Sequence, residues 1–273
     1  MFSKDFYLPK TMTGAGPEAL REGLLAVCRK LRLAHGMVDR IMALTEGDGT
    51  AQECFYKVLR EEVDCRRINS IAGLISAARF PRICELSDFD PKDVTFQNDC
   101  TLEKLVSLAF VEEGKNVLMY GNSGTGKTML SIIIGVLACR AGYPTRFYRT
   151  TALVNLLAEL TEQKALGPFL EKFSKTKVII LDEFGYVPYN PVGIQQLYDC
   201  IADGYEKGNQ VFILNTNSEF SEWVECLHSA KMTKAMVGRF VHKAEVLLFP
   251  GSDRRMLESN LLKMAGKGAK DES

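Results

Sequence analysis

The sequence predicts an α/β fold, a parallel β-sheet flanked by helices and preceded by a small all-helical domain. Three observations predict it. Five short runs rich in β-branched and apolar residues, 116–120, 145–149, 178–181, 211–214 and 245–249, alternate with helical patterns. The first of these runs feeds a glycine-rich turn that opens directly onto a helix. Upstream, from Pro17 to about Phe80, apolar residues recur at helical steps with no strand pattern between them.

Composition narrows the class. A chain of 273 residues exceeds the usual domain of about 100–150, so two unequal domains are expected. Its 46% hydrophobic and 25% charged residues are those of a soluble globular protein. No apolar run reaches the ~18 residues of a membrane helix, so no membrane partner is expected. Met1 to Lys10 carries Lys4, Asp5 and Lys10 among aromatics and lacks the apolar stretch of a signal peptide, which makes the cytoplasm the expected compartment. The 34 basic and 34 acidic residues cancel, so a nucleic-acid surface would have to come from local clustering. The eight cysteines form no C-x-x-C pair, and the three histidines are not at metal-ligand spacing from them, so the cysteines read as reduced thiols.

Taken in order, Leu20, Leu24, Val27 and Leu31, then Phe55, Val58, Leu59 and Val63, define apolar helix faces. Gly47, Asp48 and Gly49 interrupt them. Helices are expected over 17–34, 36–45 and 51–78, the last stopped before Pro81, which has no N–H to continue it. Residues 1–87 are therefore read as a helical DNA- or partner-binding domain. The polar stretch 88–101 is read as a linker or an arm laid over the next domain, and 102–273 as the sheet-containing domain. Leu102 to Phe110 reads as one further helix. The strands are continuous apolar runs, as strands covered on both faces must be, and strand–helix alternation implies parallel strands joined by right-handed crossovers. The intervening helices are expected at 127–141, 151–163, 192–206 and 231–242, with Pro191 opening the third.

The chemistry-bearing motif follows the first strand. Val117 to Tyr120 runs into Gly121-Asn122-Ser123-Gly124-Thr125-Gly126-Lys127-Thr128, and a helix pattern continues from Met129. Glycines let the backbone curl with its N–H groups inward, and the new helix adds its partial positive end, an arrangement built for phosphate. The pattern reads as the phosphate loop of a P-loop nucleoside triphosphatase, so ATP is the expected ligand, cradled by Gly121 through Met129. Lys127 is expected to reach the β and γ phosphates and Thr128 to coordinate Mg2+. The apolar strand 178–181 ends in adjacent carboxylates. Asp182 is expected on the metal, and Glu183 as the base that activates water. A base for water favours hydrolysis over phosphoryl transfer, so the expected enzyme is a Mg-dependent ATPase.

With those residues in place, the chain resembles the IstB-type transposition helper ATPases of bacterial insertion sequences, AAA+ proteins of the ASCE P-loop class related to DnaC-type helicase loaders. The resemblance runs from about Arg66 to Met256 and rests on Gly121–Thr128, on Leu181-Asp182-Glu183-Phe184-Gly185-Tyr186-Val187-Pro188 and on Asn217 to Trp223. It implies that Asn217 is the sensor I residue, although Asn215 lies on the same strand face. It further implies that Arg239 is an arginine finger acting in trans within an ATP-dependent homo-oligomer, and that Arg254 is the sensor II arginine. Too few residues follow Pro250 for the usual helical lid, so a truncated or absent lid is expected.

The resemblance also implies assembly on double-stranded DNA, its deformation, and delivery of the site to the transposase of the same insertion sequence. A helicase loader acting on single-stranded DNA is the alternative, and a nucleotide-stapled scaffold with negligible turnover is a third reading. Arg60, Arg66, Arg67, Arg79 and Arg82 form a basic stripe able to track phosphates. The same stripe could equally be a solvated face paired with Glu61, Glu62 and Asp64. Trp223 reads as a packing anchor rather than a base-stacking residue.

Overall fold

The computed structural model describes residues 12, 15–34, 36–45 and 48–251. The chain divides into two compact units, Met1–Gly73 and Leu74–Ser273. The first holds α1 (Pro17–Leu31), α2 (Met37–Leu44) and most of α3 (Gly49–Ala78). Pro17 opens α1, and the left-handed Arg32 closes it. Asp48 accepts the Ala51 N–H at 3.0 Å and caps α3. Leu24, Val27, Leu31, Val38, Ile41 and Tyr56 form the buried core of this unit.

The division falls inside α3 rather than at residue 87. The reason is packing: Ile75, Phe80, Cys84, Phe89 and Cys100 all belong to the core built around α6 (Lys127–Arg140) in the second unit. Within 88–101, β1 (Thr95–Phe96) pairs antiparallel with β6 (Ala244–Phe249).

The second unit continues through α4 (Leu102–Val106), α5 (Ala109–Glu112), β2 (Asn116–Gly121), α6, β3 (Thr145–Arg149), α7 (Thr150–Glu162), α8 (Leu166–Ser174), β4 (Val178–Asp182), α9 (Pro191–Lys207), β5 (Val211–Thr216), α10 (Trp223–Leu227), α11 (Ala230–Val241) and β6. The helix expected over 102–110 is two, because Leu108 adopts a left-handed φ of 61°. The helix α8 was not expected. Gly167 and Pro168 both sit in its first turn, where neither breaks a helix, and Leu166, Phe169, Leu170 and Phe173 carry the helical spacing.

The sheet order is β1-β6-β2-β5-β4-β3, parallel except for β1. Side chains alternate across it. Val117, Met119, Ile180, Ile213 and Leu247 face the layer of α6, while Leu118, Ile179, Leu181, Phe212 and Leu214 face α7, α9, α10 and α11. The strand order places β5 between the strand that enters the glycine turn and the strand that ends in Asp182. Asn190 caps α9 by accepting the N–H groups of Val192 and Gly193, with Pro191 as the first helical residue. Burial raises the thiols of Cys139 and Cys226, and lifts that of Cys200 to about 12, so these cysteines stay protonated near neutral pH. No described helix is long and apolar enough to cross a membrane.

Candidate functional site

The turn after β2 has the backbone that its glycines predict. Gly121, Gly124 and Gly126 take φ values of 147°, 74° and 106°. At Gly121 the requirement is also steric, since a Cβ there would stand 2.1 Å from the Phe249 carbonyl oxygen of β6. The helix α6 starts at Lys127 behind Gly126 with no side-chain cap, which leaves its first N–H groups open to a ligand. The Lys127 ammonium donates to the carbonyls of Gly121 at 2.7 Å and Asn122 at 2.6 Å. Asn122 also donates through Nδ2 to the Gly251 carbonyl, so the start of the turn is tied to the end of β6.

Asp182 is the junction of the site. Because Leu181 points to the far face of the sheet, alternation turns Asp182 toward α6. Its carboxylate, 5% exposed, accepts the Thr128 hydroxyl at 2.9 and 3.1 Å and the Asn215 amide at 2.7 Å. The same Asn215 amide donates to the Ser131 hydroxyl at 2.9 Å. Its Oδ1 is buried and has no hydrogen-bond partner among the described residues. The Phe184 N–H donates to the Asn215 carbonyl, and the Thr216 hydroxyl donates to the Phe184 carbonyl, locking the end of β4 to the end of β5.

Glu183 breaks away from this lattice. Its φ of 56° is left-handed, a conformation that costs a non-glycine residue about 1–3 kcal/mol, and its side chain is exposed. The loop behind it is fixed by Tyr189, whose hydroxyl oxygen accepts the Gly185 N–H at 2.7 Å. Burial pushes the Tyr189 phenol well above its ordinary range, so it remains a neutral acceptor. Phe184 packs against Tyr189, Trp223 and Phe240, with ring centroids 5.9, 4.6 and 5.8 Å away.

These elements enclose a cavity of about 610 Å³, lined by Ser123 through Met129, Asp182, Glu183 and Tyr186, by Asn215 through Asn217, and by Arg82 and Asp88. Gly121 and Asn122 are not on this lining. Asn215 and Asn217 are both on it, with different environments: Asn215 is buried in the Asp182 lattice, whereas Asn217 is half-buried on the wall. Four lining residues, Arg82, Asp88, Tyr186 and Thr216, were not assigned to this site from the sequence. Asp88 carried no motif, and Arg82 read as part of the basic stripe with Arg79.

The other described residues singled out from the sequence are not on this lining. Arg239 on α11 is not on the lining; its guanidinium sits 5.2 Å from the centre of the Tyr198 ring and donates to the Tyr198 hydroxyl at 3.3 Å. Its Nε is buried without a hydrogen-bond partner among the described residues. Arg66 is exposed, donating to Glu62 at 2.6 Å and to the Leu31 carbonyl at 3.1 Å, and Arg67 and Arg79 are exposed. Arg254 and the segment expected to lack a full lid lie outside the described residues.

Comparison with known proteins converges on one family. The model of the IstB-like ATP binding protein family matches residues 27–261. The ATP-binding protein of insertion sequence IS5376 from Geobacillus stearothermophilus is 30% identical over 89% of this chain and 97% of its own length. That of insertion sequence IS21 from Pseudomonas aeruginosa is 30% identical over 87% of this chain and 89% of its own. Among solved structures, the DnaC helicase loader aligns with a TM-score of 0.49 and 20% identity over 61% of this chain and 96% of that one. With a phosphate loop and an acidic strand end meeting across one cavity, and with a family match spanning most of its length, the chain belongs to the IstB-like ATP binding protein family.

Proposed function

We propose that this protein binds ATP with Mg2+ in the cavity between Ser123–Met129 and the Asp182–Glu183 edge, hydrolyses it, and uses the cycle to control assembly on duplex DNA for an insertion-sequence transposase. The observation that carries this reading is the Asp182 junction, where a phosphate-loop threonine and a neighbouring-strand asparagine meet one buried carboxylate. The residues present fit the cation. A hydroxyl beside a carboxylate is the hard oxygen donor set that suits Mg2+, and Thr128 and Asp182 would hold it. When bound, the ion neutralises charge on the phosphate oxygens.

The chain's own groups do the rest. Lys127 exchanges its two carbonyl partners for phosphate oxygens, and the uncapped N–H groups of α6 hold the phosphates beside it. The Glu183 carboxylate takes a proton from water as the water oxygen bonds to the γ phosphorus. The bond from that phosphorus to the bridging oxygen breaks, giving ADP and phosphate. Asn217, which lines the same cavity as Glu183, orients the water. Arg239 is the residue offered to a neighbouring subunit's ATP and must leave Tyr198 to serve there. The relatives' association with insertion sequences supports a transposase as partner.

Phosphate release measured for the parent and for Glu183→Gln, with and without duplex DNA, tests the reading. The variant should turn over about 100-fold more slowly while retaining nucleotide affinity. Equal rates would remove Glu183 from catalysis, and a preference for single-stranded over duplex DNA in competition binding would favour the helicase-loader alternative.

A further inference from the structure

We propose that Arg82 is a phosphate-contacting residue of the nucleotide site in its own chain, engaging the terminal phosphate and making the site discriminate ATP from ADP. This rests on the ATP-binding reading above and adds a residue that neither the phosphate loop nor the acidic strand end supplies.

Three observations carry it. The cations on the cavity lining are Lys127 and Arg82, facing the carboxylates of Asp88, Asp182 and Glu183. Lys127 belongs to the phosphate loop and is bonded to its carbonyls, so it serves the phosphates cradled there. The Arg82 guanidinium, by contrast, has no hydrogen bond or ion pair among the described residues. The backbone that presents it is nevertheless fixed. Phe80 packs edge-on against Phe147 at 6.4 Å, Cys84 is buried, and Glu85 pairs in a fork with Arg140 at 2.7 and 3.1 Å. An anchored segment that places Arg82, with its uncommitted guanidinium, on a cavity lining where the described carboxylates outnumber the described cations is arranged for an anion.

The terminal phosphate is the part of the ligand that most needs it. That group carries about two negative charges near neutral pH, as a phosphate monoester does, and presents three terminal oxygens to a planar fork. The phosphates nearer the base already have the α6 N–H groups, while Lys127 is shared between the β and γ phosphates and leaves terminal charge for a second cation. Losing the terminal phosphate therefore removes Arg82's partner, so ADP gains little from it.

Calorimetric titration of the full-length parent, Arg82→Ala and Arg82→Lys with β,γ-methylene ATP and with ADP, each with Mg2+, decides the matter. Arg82→Ala should lose about tenfold or more in affinity for the methylene analogue and less than about threefold for ADP, and Arg82→Lys should recover part of the loss. Unchanged affinities in Arg82→Ala would overturn the assignment. So would equal losses for both nucleotides with no recovery by lysine, or a loss confined to duplex DNA, which would return Arg82 to the basic stripe. The underlying reading fails separately: it falls if the parent binds neither nucleotide or if Lys127→Ala binds as well as the parent. Intact parent binding beside an unaffected Arg82→Ala removes only the role of Arg82.

Discussion

Asp182 draws hydrogen bonds from a helix and from a strand, and that double attachment separates two asparagines that sequence alternation assigns to one strand face, Asn217 lying just past the end of β5. Asn215 gives its amide to Asp182 and Ser131 and is 1% exposed, while Asn217 lies on the cavity wall. Removing Asn215 strips a buried carboxylate of a donor, a change that costs about 1–3 kcal/mol. Asn215→Ala should therefore lower the midpoint of thermal unfolding, whereas Asn217→Ala should stay within about 0.5 kcal/mol of the parent and lose turnover instead. Equal unfolding midpoints for the two variants would contradict this division of labour. The distinction was illegible in the sequence because period-2 alternation gives both residues the same direction; only the approach of α6 makes one a lattice member and leaves the other on the wall.

At the scale of elements, the aromatic cluster of Phe184, Trp223 and Phe240 joins the strand end beside Glu183 to α10 and to the helix that carries Arg239. Trp223 is fully buried, although its indole nitrogen has no hydrogen-bond partner among the described residues, so its contribution is packing. Trp223→Ala should cost about 3–5 kcal/mol in denaturant unfolding followed by circular dichroism. A loss below about 1 kcal/mol would mean that the cluster does not brace this loop. The sequence foretold the anchor and missed the element, since α10 is one short turn opened by polar Glu222 and too brief to show a period. The same limit hid β1, whose two residues gain meaning only from their pairing with β6.

At the scale of the whole molecule, the consequence to test is a site completed by a neighbour. Because Arg239 stays off its own cavity, a subunit carrying Arg239→Ala retains Glu183 and, on the proposed role, lacks what it would offer to a neighbour. Mixing it with a Glu183→Gln subunit should restore phosphate release above that of either variant alone, through interfaces that pair an intact Glu183 with an intact Arg239. No gain at any mixing ratio would argue against a finger acting in trans. ATP would then also favour self-association, since a ligand that bridges two subunits stabilises their contact.

The glycine turn, the strand that ends in Asp182 and Glu183, the strand–helix alternation and the three N-terminal helices were determined by the sequence itself. Each is a local pattern whose physics, whether backbone permissiveness, burial on both faces or helical spacing, acts over a few adjacent residues. What only the tertiary structure decided lies in the encounters between distant segments. Residues 74–101 join the core of the sheet unit, Asn215 is bound to Asp182, Arg239 rests on Tyr198, and Arg82 stands on the cavity lining. Chain proximity could not reveal these, because alternation and periodicity fix the direction of a side chain but not which remote surface folds against it.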